Sequence, residues 1–304
     1  MRHHMRYGVM GMCSLLCLVL VMGWGCSDSS SPSDPGDKPS EKPVKLVSID
    51  IDDVFLASSY PSDPSLDKVK MTEADVKELI ALSDEINRRF GGGFAFSLGY
   101  NSGYYDSLHA GDRAFVANAQ SFRWFNHLPR HDHVVEYNLS EETLTGLFKT
   151  AYAWEDAHKI TPWRMKFCVT PKHDGLWPPY APLDNTFEKF GVSATSYPEL
   201  DRPAEYGNVK IMQRSYCGLG SYICSFKQLP QSKLSILTGE NISTVLSREA
   251  TVFGMHQSNF AVDRPANEMI RSMIDSLSAQ TDYTIVFLPS DTLIQRYFAS
   301  RESK

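Results

Sequence analysis

Two stretches of the chain carry groups that bind and use metal ions. Ile49-Asp50-Ile51-Asp52-Asp53-Val54-Phe55 is an apolar run ending in adjacent carboxylates, and Phe125-Asn126-His127-Leu128-Pro129-Arg130-His131-Asp132-His133 holds His127 and His131 in a His-x-x-x-His spacing. A catalytic zinc or similar divalent ion takes about three nitrogen or oxygen ligands and keeps one position open for water. Asp53, His127 and His131 make up that set. A bound ion would bring the pKa of its water towards neutrality and polarise a carbonyl oxygen. A neighbouring carboxylate outside the metal shell, Asp52, would accept the water's proton. This is the chemistry of a metal-dependent hydrolase. Consecutive strand side chains point to opposite faces, so Asp52 and Asp53 can converge only where the strand ends and the chain turns. Each half has a blander reading. Asp-Asp after an apolar run also marks a solvated turn or a helix cap. Pro129 makes the histidine pair part of a turn rather than a regular helix. His133 offers a second register for the ligands.

The order of these elements is an aspartate pair closing the first strand, then His-x-x-x-His, then a late histidine in Val252-Phe253-Gly254-Met255-His256-Gln257-Ser258-Asn259. It resembles the polysaccharide deacetylases of carbohydrate esterase type, with the NodB homology domain. Ser97-Leu98-Gly99-Tyr100-Asn101-Ser102-Gly103, Val169-Thr170-Pro171-Lys172-His173-Asp174-Gly175-Leu176 and Met255-His256-Gln257-Ser258-Asn259 are similar to the fungal and bacterial deacetylases of amino-sugar polymers. The resemblance spans the chain from Leu46 onwards. It implies a single α/β domain built as a distorted (β/α) barrel, removing N-acetyl groups from amino sugars in an exopolysaccharide or cell-wall glycan. It makes Asp52 the catalytic base and has Asp53, His127 and His131 hold a divalent ion, zinc first, with cobalt, nickel or manganese as substitutes. It makes His256 the general acid for the departing amine, a role suited to an imidazole that titrates near neutrality. Asn101, Tyr180 and Asn259 are the expected polysaccharide contacts.

The sequence also departs from the family pattern. Leu128 stands where the family carries a Ser or Thr hydroxyl that steadies the loop, leaving that support to Asn126 or Asp132. The third family motif is an arginine ahead of a proline and an aromatic residue, and only Trp177-Pro178-Pro179-Tyr180 falls near its place. No residue is thereby assigned to orient Asp52, and no backbone N–H to an oxyanion hole. Three alternatives stay open: hydrolysis of an O-acetyl or other amide bond by the same apparatus, a polysaccharide-binding surface lipoprotein with altered catalysis, and a structural surface protein whose histidines never meet a metal.

The elements that must position these groups read as alternating strands and helices. Lys45 to Ile51 is a first strand. Glu73 to Phe90 repeats Val76, Leu79, Ile80, Leu82 and Ile86 near helical spacing, opened by Thr72 and closed by Gly91-Gly92-Gly93. Phe94 to Leu98 and Phe122 to Asn126 read as strands, with a helix over Asp112 to Gln120 between them. Ser140 caps a helix to His158 that has Glu141 and Glu142 in its first turn. Met165 to Val169 is a further strand, and a helix from Asn185 to Phe190 passes through Gly191 into a short strand at Val192. Ala250 to Met255 delivers His256. Ala266 to Leu277 is helical, Thr284 to Leu288 a strand and Asp291 to Ala299 the closing helix. The segment from Tyr197 to Ser247 gives the weakest pattern. The proposed catalytic groups all fall at or just past the C-terminal end of a strand, where α/β barrels gather their active sites.

Arg2 and Arg6 precede an apolar run from Val9 to Trp24 and the small-residue approach to Cys26. This describes a secretory signal over 1–25, shorter than a spanning helix needs, with Cys26 as the lipid-modified cysteine of a bacterial lipoprotein. Residues 26–45, rich in Ser, Pro, Asp and Gly, read as a tether, and 46–304 as the catalytic domain. The expected location is the bacterial cell envelope, lipid-anchored at the outer membrane or surface. In that oxidising setting Cys217 and Cys224 would close a loop and Cys168 would stay an unpaired buried thiol. A formal net charge of −6 argues against a nucleic-acid footprint and tolerates a partly deacetylated, cationic polymer.

Overall fold

The alternation of the first strand, β1 (Val44–Val54), organises the molecule. Val47, Ile49 and Ile51 join one hydrophobic core with the buried faces of the helices α1 (Glu73–Phe90), α5 (Gln231–Ser247) and α6 (Ala266–Ser278). The alternate residues Leu46, Ser48, Asp50 and Asp52 point the other way and are also buried. A strand wrapped on both faces is expected of a parallel sheet covered by helices. Here the inner face carries a polar column.

The computed structural model describes residues 42–56, 70–216, 231–261 and 265–303. The remaining elements, in chain order, are β2 (Ser97–Tyr100), α2 (Ala110–Ala117), β3 (Arg123–Asn126), α3 (Glu141–Ala157), α4 (Ala181–Phe190), β4 (Ala194–Tyr197), β5 (Ala204–Tyr206), β6 (Val209–Tyr216), β7 (Ala250–His256), β8 (Thr284–Phe287) and α7 (Ser290–Glu302). The strand order is β3-β2-β1-β7-β6-β4, parallel throughout, with β5 antiparallel on β6. One edge of β1 is shared: β8 pairs with Val44–Val47 and β2 with the stretch from Asp50 to Val54. The sheet curls until Arg164 bridges Trp124 of β3 and Phe167 bridges Ala194 of β4. The strand expected over Met165 to Val169 is therefore an irregular link that nearly closes the ring. This is a distorted (β/α) barrel in a single domain.

Local signals account for most boundaries. Thr72 Oγ1 accepts the Asp75 N–H at 3.3 Å while the Asp75 carboxylate accepts the Thr72 N–H at 2.6 Å, a reciprocal cap that starts α1 where the sequence places it. Ser140 caps α3 through the Thr143 N–H at 3.2 Å. Gly191 ends α4 with φ 68°, a left-handed turn that glycine adopts without strain. The following strand begins two residues later than expected, at Ala194. Ser290, at the start of α7, fills the split between β8 and β2. Its N–H bonds Ser97 Oγ at 3.1 Å, and its hydroxyl meets Ser48 Oγ at 2.9 Å and the Asp50 carboxylate.

Asp50 lies at the centre of this polar column. Burial pushes its carboxyl up to about 7, against the pull of Arg214 and of the Ser290 hydrogen bond. A carboxyl with a raised folded pKa binds its proton more tightly in the native state. Its stabilising contribution is complete below the ordinary value of 3.8 and is lost as pH rises towards about 7. Wild type is therefore expected to lose urea resistance relative to Asp50→Asn across that window, with the difference constant at higher pH. Urea midpoints measured on both proteins over a pH series check this.

Candidate active site

The two aspartates share a site because β1 breaks between them. Asp53 has φ 62°, and the pairing of β1 with β2 slips between Ile51 and Val54. A left-handed residue in a strand is uncommon, although Asp tolerates it better than most. The break turns the Asp53 carboxylate back to the face that Asp52 already occupies. Without it, alternation would send Asp53 into the apolar layer beneath α1.

His127 follows β3 directly, and its loop is held by asparagines in place of the missing hydroxyl. Asn126 Oδ1 accepts the Leu128 N–H at 2.9 Å, and the Asn101 amide donates to the carbonyls of His127 and Leu128, each at 2.7 Å. Leu128 and His131 both take positive φ, 59° and 57°. His127 Nδ1 lies 2.6 Å from the Val169 carbonyl, which can only accept. The ring proton therefore sits on Nδ1, and Nε2 keeps its lone pair. Nε2 of His127 lies 3.4 Å, and Nε2 of His131 3.1 Å, from the same oxygen, Asp53 Oδ1. Ligands at about 2.0–2.1 Å from a tetrahedral ion are separated by roughly 3.4 Å. The donor set, with its ligand atoms all within 4.8 Å of one another, fits such an ion. His133 turns away from this cluster to Glu136 at 2.7 Å.

Asp52 is held by a residue that the sequence left unassigned. Arg214, on β6, is fully buried, and its Nη2 lies 2.7 Å from Asp52 Oδ2. Burial drives the Asp52 carboxyl upwards, but Arg214, with smaller help from His127 and His256, outweighs it and holds the group below its ordinary range. Asp52 is thus an ionised carboxylate. Because β7 separates β1 from β6, the arginine must cross a strand, about 5 Å per step. It crosses over Gly254, where a Cβ would lie 2.0 Å from Arg214 Nε. The orienting arginine therefore does not come from the Trp177–Tyr180 region. The available signal was a glycine, Gly254, inside the apolar run that ends at His256.

His256 ends β7 in register with Asp52. Its Nε2 is 3.5 Å from Asp53 Oδ2, and its side chain remains 14% exposed. The structure thus brings Asp52, Asp53, His127, His131 and His256 together. The three expected substrate contacts sit differently. Asn101 is fully buried against the histidine loop, and Asn259 is buried with its Oδ1 accepting the His256 N–H at 2.8 Å, so both brace the site through backbone groups. The Tyr180 hydroxyl donates to the Leu139 carbonyl at 3.1 Å. Cys168 is a buried free thiol, while Cys26, Cys217 and Cys224 lie outside the described residues.

An ionised carboxylate beside an N,N,O donor set and an accessible imidazole can activate water, polarise a carbonyl and protonate a leaving group. The Arg214 arrangement also predicts stability effects. Gly254→Ala should lose about 1–3 kcal/mol through overpacking against the guanidinium. Arg214→Met, which strands a buried carboxylate, should lose about 3–5 kcal/mol. Urea denaturation of the metal-free proteins measures both.

Comparison with known proteins shows what the chain as a whole resembles. The chain is 28% identical over 272 residues to bifunctional heparan sulfate N-deacetylase/N-sulfotransferase 1 of Caenorhabditis elegans, covering 84% of this chain and 30% of that protein. It is 29% identical over 273 residues to bifunctional heparan sulfate N-deacetylase/N-sulfotransferase of Drosophila melanogaster, covering 84% of this chain and 25% of the relative. The chain thus spans less than a third of these relatives' length. Its fold matches the crystal structure of the carbohydrate deacetylase Agd3 with TM-score 0.67 at 12% identity, over 84% of this chain and 54% of that one. These findings bear out the resemblance to polysaccharide deacetylases. They also correct the expected location, because the relatives are animal enzymes and not lipoproteins of the bacterial envelope. The family model for the deacetylase domain of heparan sulfate-N-deacetylase matches residues 44–241, and the chain belongs to that family.

Proposed function

We propose that this domain is a metal-dependent hydrolase that removes the N-acetyl group from amino sugars within a polysaccharide, with zinc as the ion held by Asp53, His127 and His131. The observation that carries the reading is the convergence of two histidine Nε2 atoms on one oxygen of Asp53, at 3.1 and 3.4 Å, beside the ionised Asp52. A divalent ion at that position supplies a Lewis acid for the acetyl carbonyl and lowers the pKa of water.

The chain's own residues do the rest. Asp52, kept ionised and fixed in direction by Arg214, takes the proton of the attacking water as the C–O bond forms. His256 stands across Asp53 and gives a proton to the amide nitrogen as the C–N bond breaks, leaving acetate and a free amine. The division suits the two groups: a carboxylate below its ordinary range accepts a proton during attack but does not hold it, whereas an imidazole donates near neutrality. The relationship to bifunctional heparan sulfate N-deacetylase/N-sulfotransferases supports an N-acetylated amino-sugar polymer as substrate.

Acetate release from N-acetylated amino-sugar polymers should vanish when the protein is stripped of metal and return with zinc or cobalt. Asp52→Asn should lower the rate by at least about 100-fold while binding one metal equivalent. His127→Ala and His131→Ala should fail to retain metal at all. Absence of bound metal in the wild type, measured by elemental analysis after dialysis against zinc, would sink this reading.

A further inference from the structure

His173 and Tyr216 form a pair beside this site that the proposed mechanism leaves unused. Tyr216 is the last residue of β6, two after Arg214, and so projects from the same face one step nearer the C-terminal mouth of the barrel. It is only partly buried, and the Arg214 guanidinium carbon lies 5.9 Å from its ring centroid. His173 is buried, and its Nε2 hydrogen-bonds the Tyr216 hydroxyl. The histidine is carried by the segment whose Val169 carbonyl fixes the His127 ring, and Lys172 and His173 adopt successive positive φ of 53° and 57°. Backbone held in that region without glycine is characteristic of sites where a side chain must be aimed.

The hydrogen-bond arithmetic gives the phenol a free proton. Burial, reinforced by Arg214, pushes the His173 imidazole down to about 3, so it is neutral and carries one N–H. Its Nδ1 finds no hydrogen-bond partner among the described residues. Placing the proton there would orphan a buried N–H, a rarer and costlier defect than an unpaired acceptor. The proton therefore sits on Nε2 and is donated to the Tyr216 oxygen, so the phenol's own hydrogen is not used by His173. Burial also pushes the Tyr216 hydroxyl up to about 12, so it stays a donor, and it lies within electrostatic reach of Asp52 and Asp53.

We infer that Tyr216, aimed by His173, is a substrate-positioning residue whose hydroxyl donates a hydrogen bond to an oxygen of the acetamido sugar bound beside Asp52. This rests on the deacetylase reading above. His173 acts through Tyr216 and touches no reacting atom.

The test is a double-mutant cycle on the zinc-loaded domain. It follows acetate release from an N-acetylated amino-sugar oligosaccharide, binding of the same oligosaccharide by calorimetry, metal content and thermal midpoint. Tyr216→Phe and His173→Leu are each expected to weaken binding and raise KM at least tenfold. Metal content and midpoint should stay close to wild type, and the position of the acid limb of the pH profile should not move. The double variant should be no worse than either single one, and His173→Gln, whose amide can still donate to the phenol, should recover most of the loss. Wild-type KM in Tyr216→Phe, additive losses in the double variant, or loss of metal or fold in Tyr216→Phe would each overturn the inference while leaving the deacetylase reading intact. A wild type that binds metal but neither binds nor cleaves the oligosaccharide would overturn both.

Discussion

The rest of the site depends on a buried ion pair between Arg214 and Asp52. Moving two charges from water into the barrel costs several kcal/mol each, and their attraction repays this only when the geometry is good. With Nη2 2.7 Å from Oδ2 the geometry is good, yet such a pair is seldom a net source of stability. Its consequence here is chemical. An isolated carboxyl at this depth would bind a proton, as its neighbour Asp50 does up to about 7. Arg214 keeps Asp52 charged and directs one of its oxygens, leaving the other on the side of Gly99 of β2.

That pair in turn dictates its surroundings. The guanidinium must pass over β7, so β7 carries glycine at residue 254, and another glycine, Gly99, stands on β2 where a Cβ would lie 2.6 Å from the Phe125 ring and 3.1 Å from Asp52 Oδ1. Small residues clear the space; serines and asparagines then satisfy the polar groups that remain. Ser48, Ser97 and Ser290 surround Asp50, while Asn101 and Asn126 tie the histidine loop to the strand ends. Three residues at the site, Asp53, Leu128 and His131, hold positive φ. Each such residue costs of order 1–3 kcal/mol, and that strain persists because these hydrogen bonds leave the loop no relaxed alternative.

Much of this was legible in the chain, and for identifiable reasons. The reciprocal cap of Thr72 and Asp75, the Ser140 cap and the left-handed Gly191 are signals confined to a few neighbouring residues, so the helix ends they mark fall at or within a few residues of where the sequence places them. Asp52, Asp53, His127, His131 and His256 could be named because each sits in a short local motif after an apolar strand. The link over Met165 to Val169 has strand-like composition, but the curl of the sheet gives it only bridges at its ends. The reading weakened from Tyr197 to Ser247, and β6 with Arg214 lies there.

By itself, the sequence determined which residues could do chemistry and which strand ends would carry them, since residue type, periodicity and capping act over distances of a few residues. Tertiary structure decided how they meet. Arg214 is 162 residues from Asp52 and two strands away, and no local pattern encodes that a side chain on β6 will cross a glycine on β7 to reach β1. Nor does alternation along β1 reveal that Asp53 will break it. That turn is held by contacts with a loop more than seventy residues later, and only the folded barrel brings the two together.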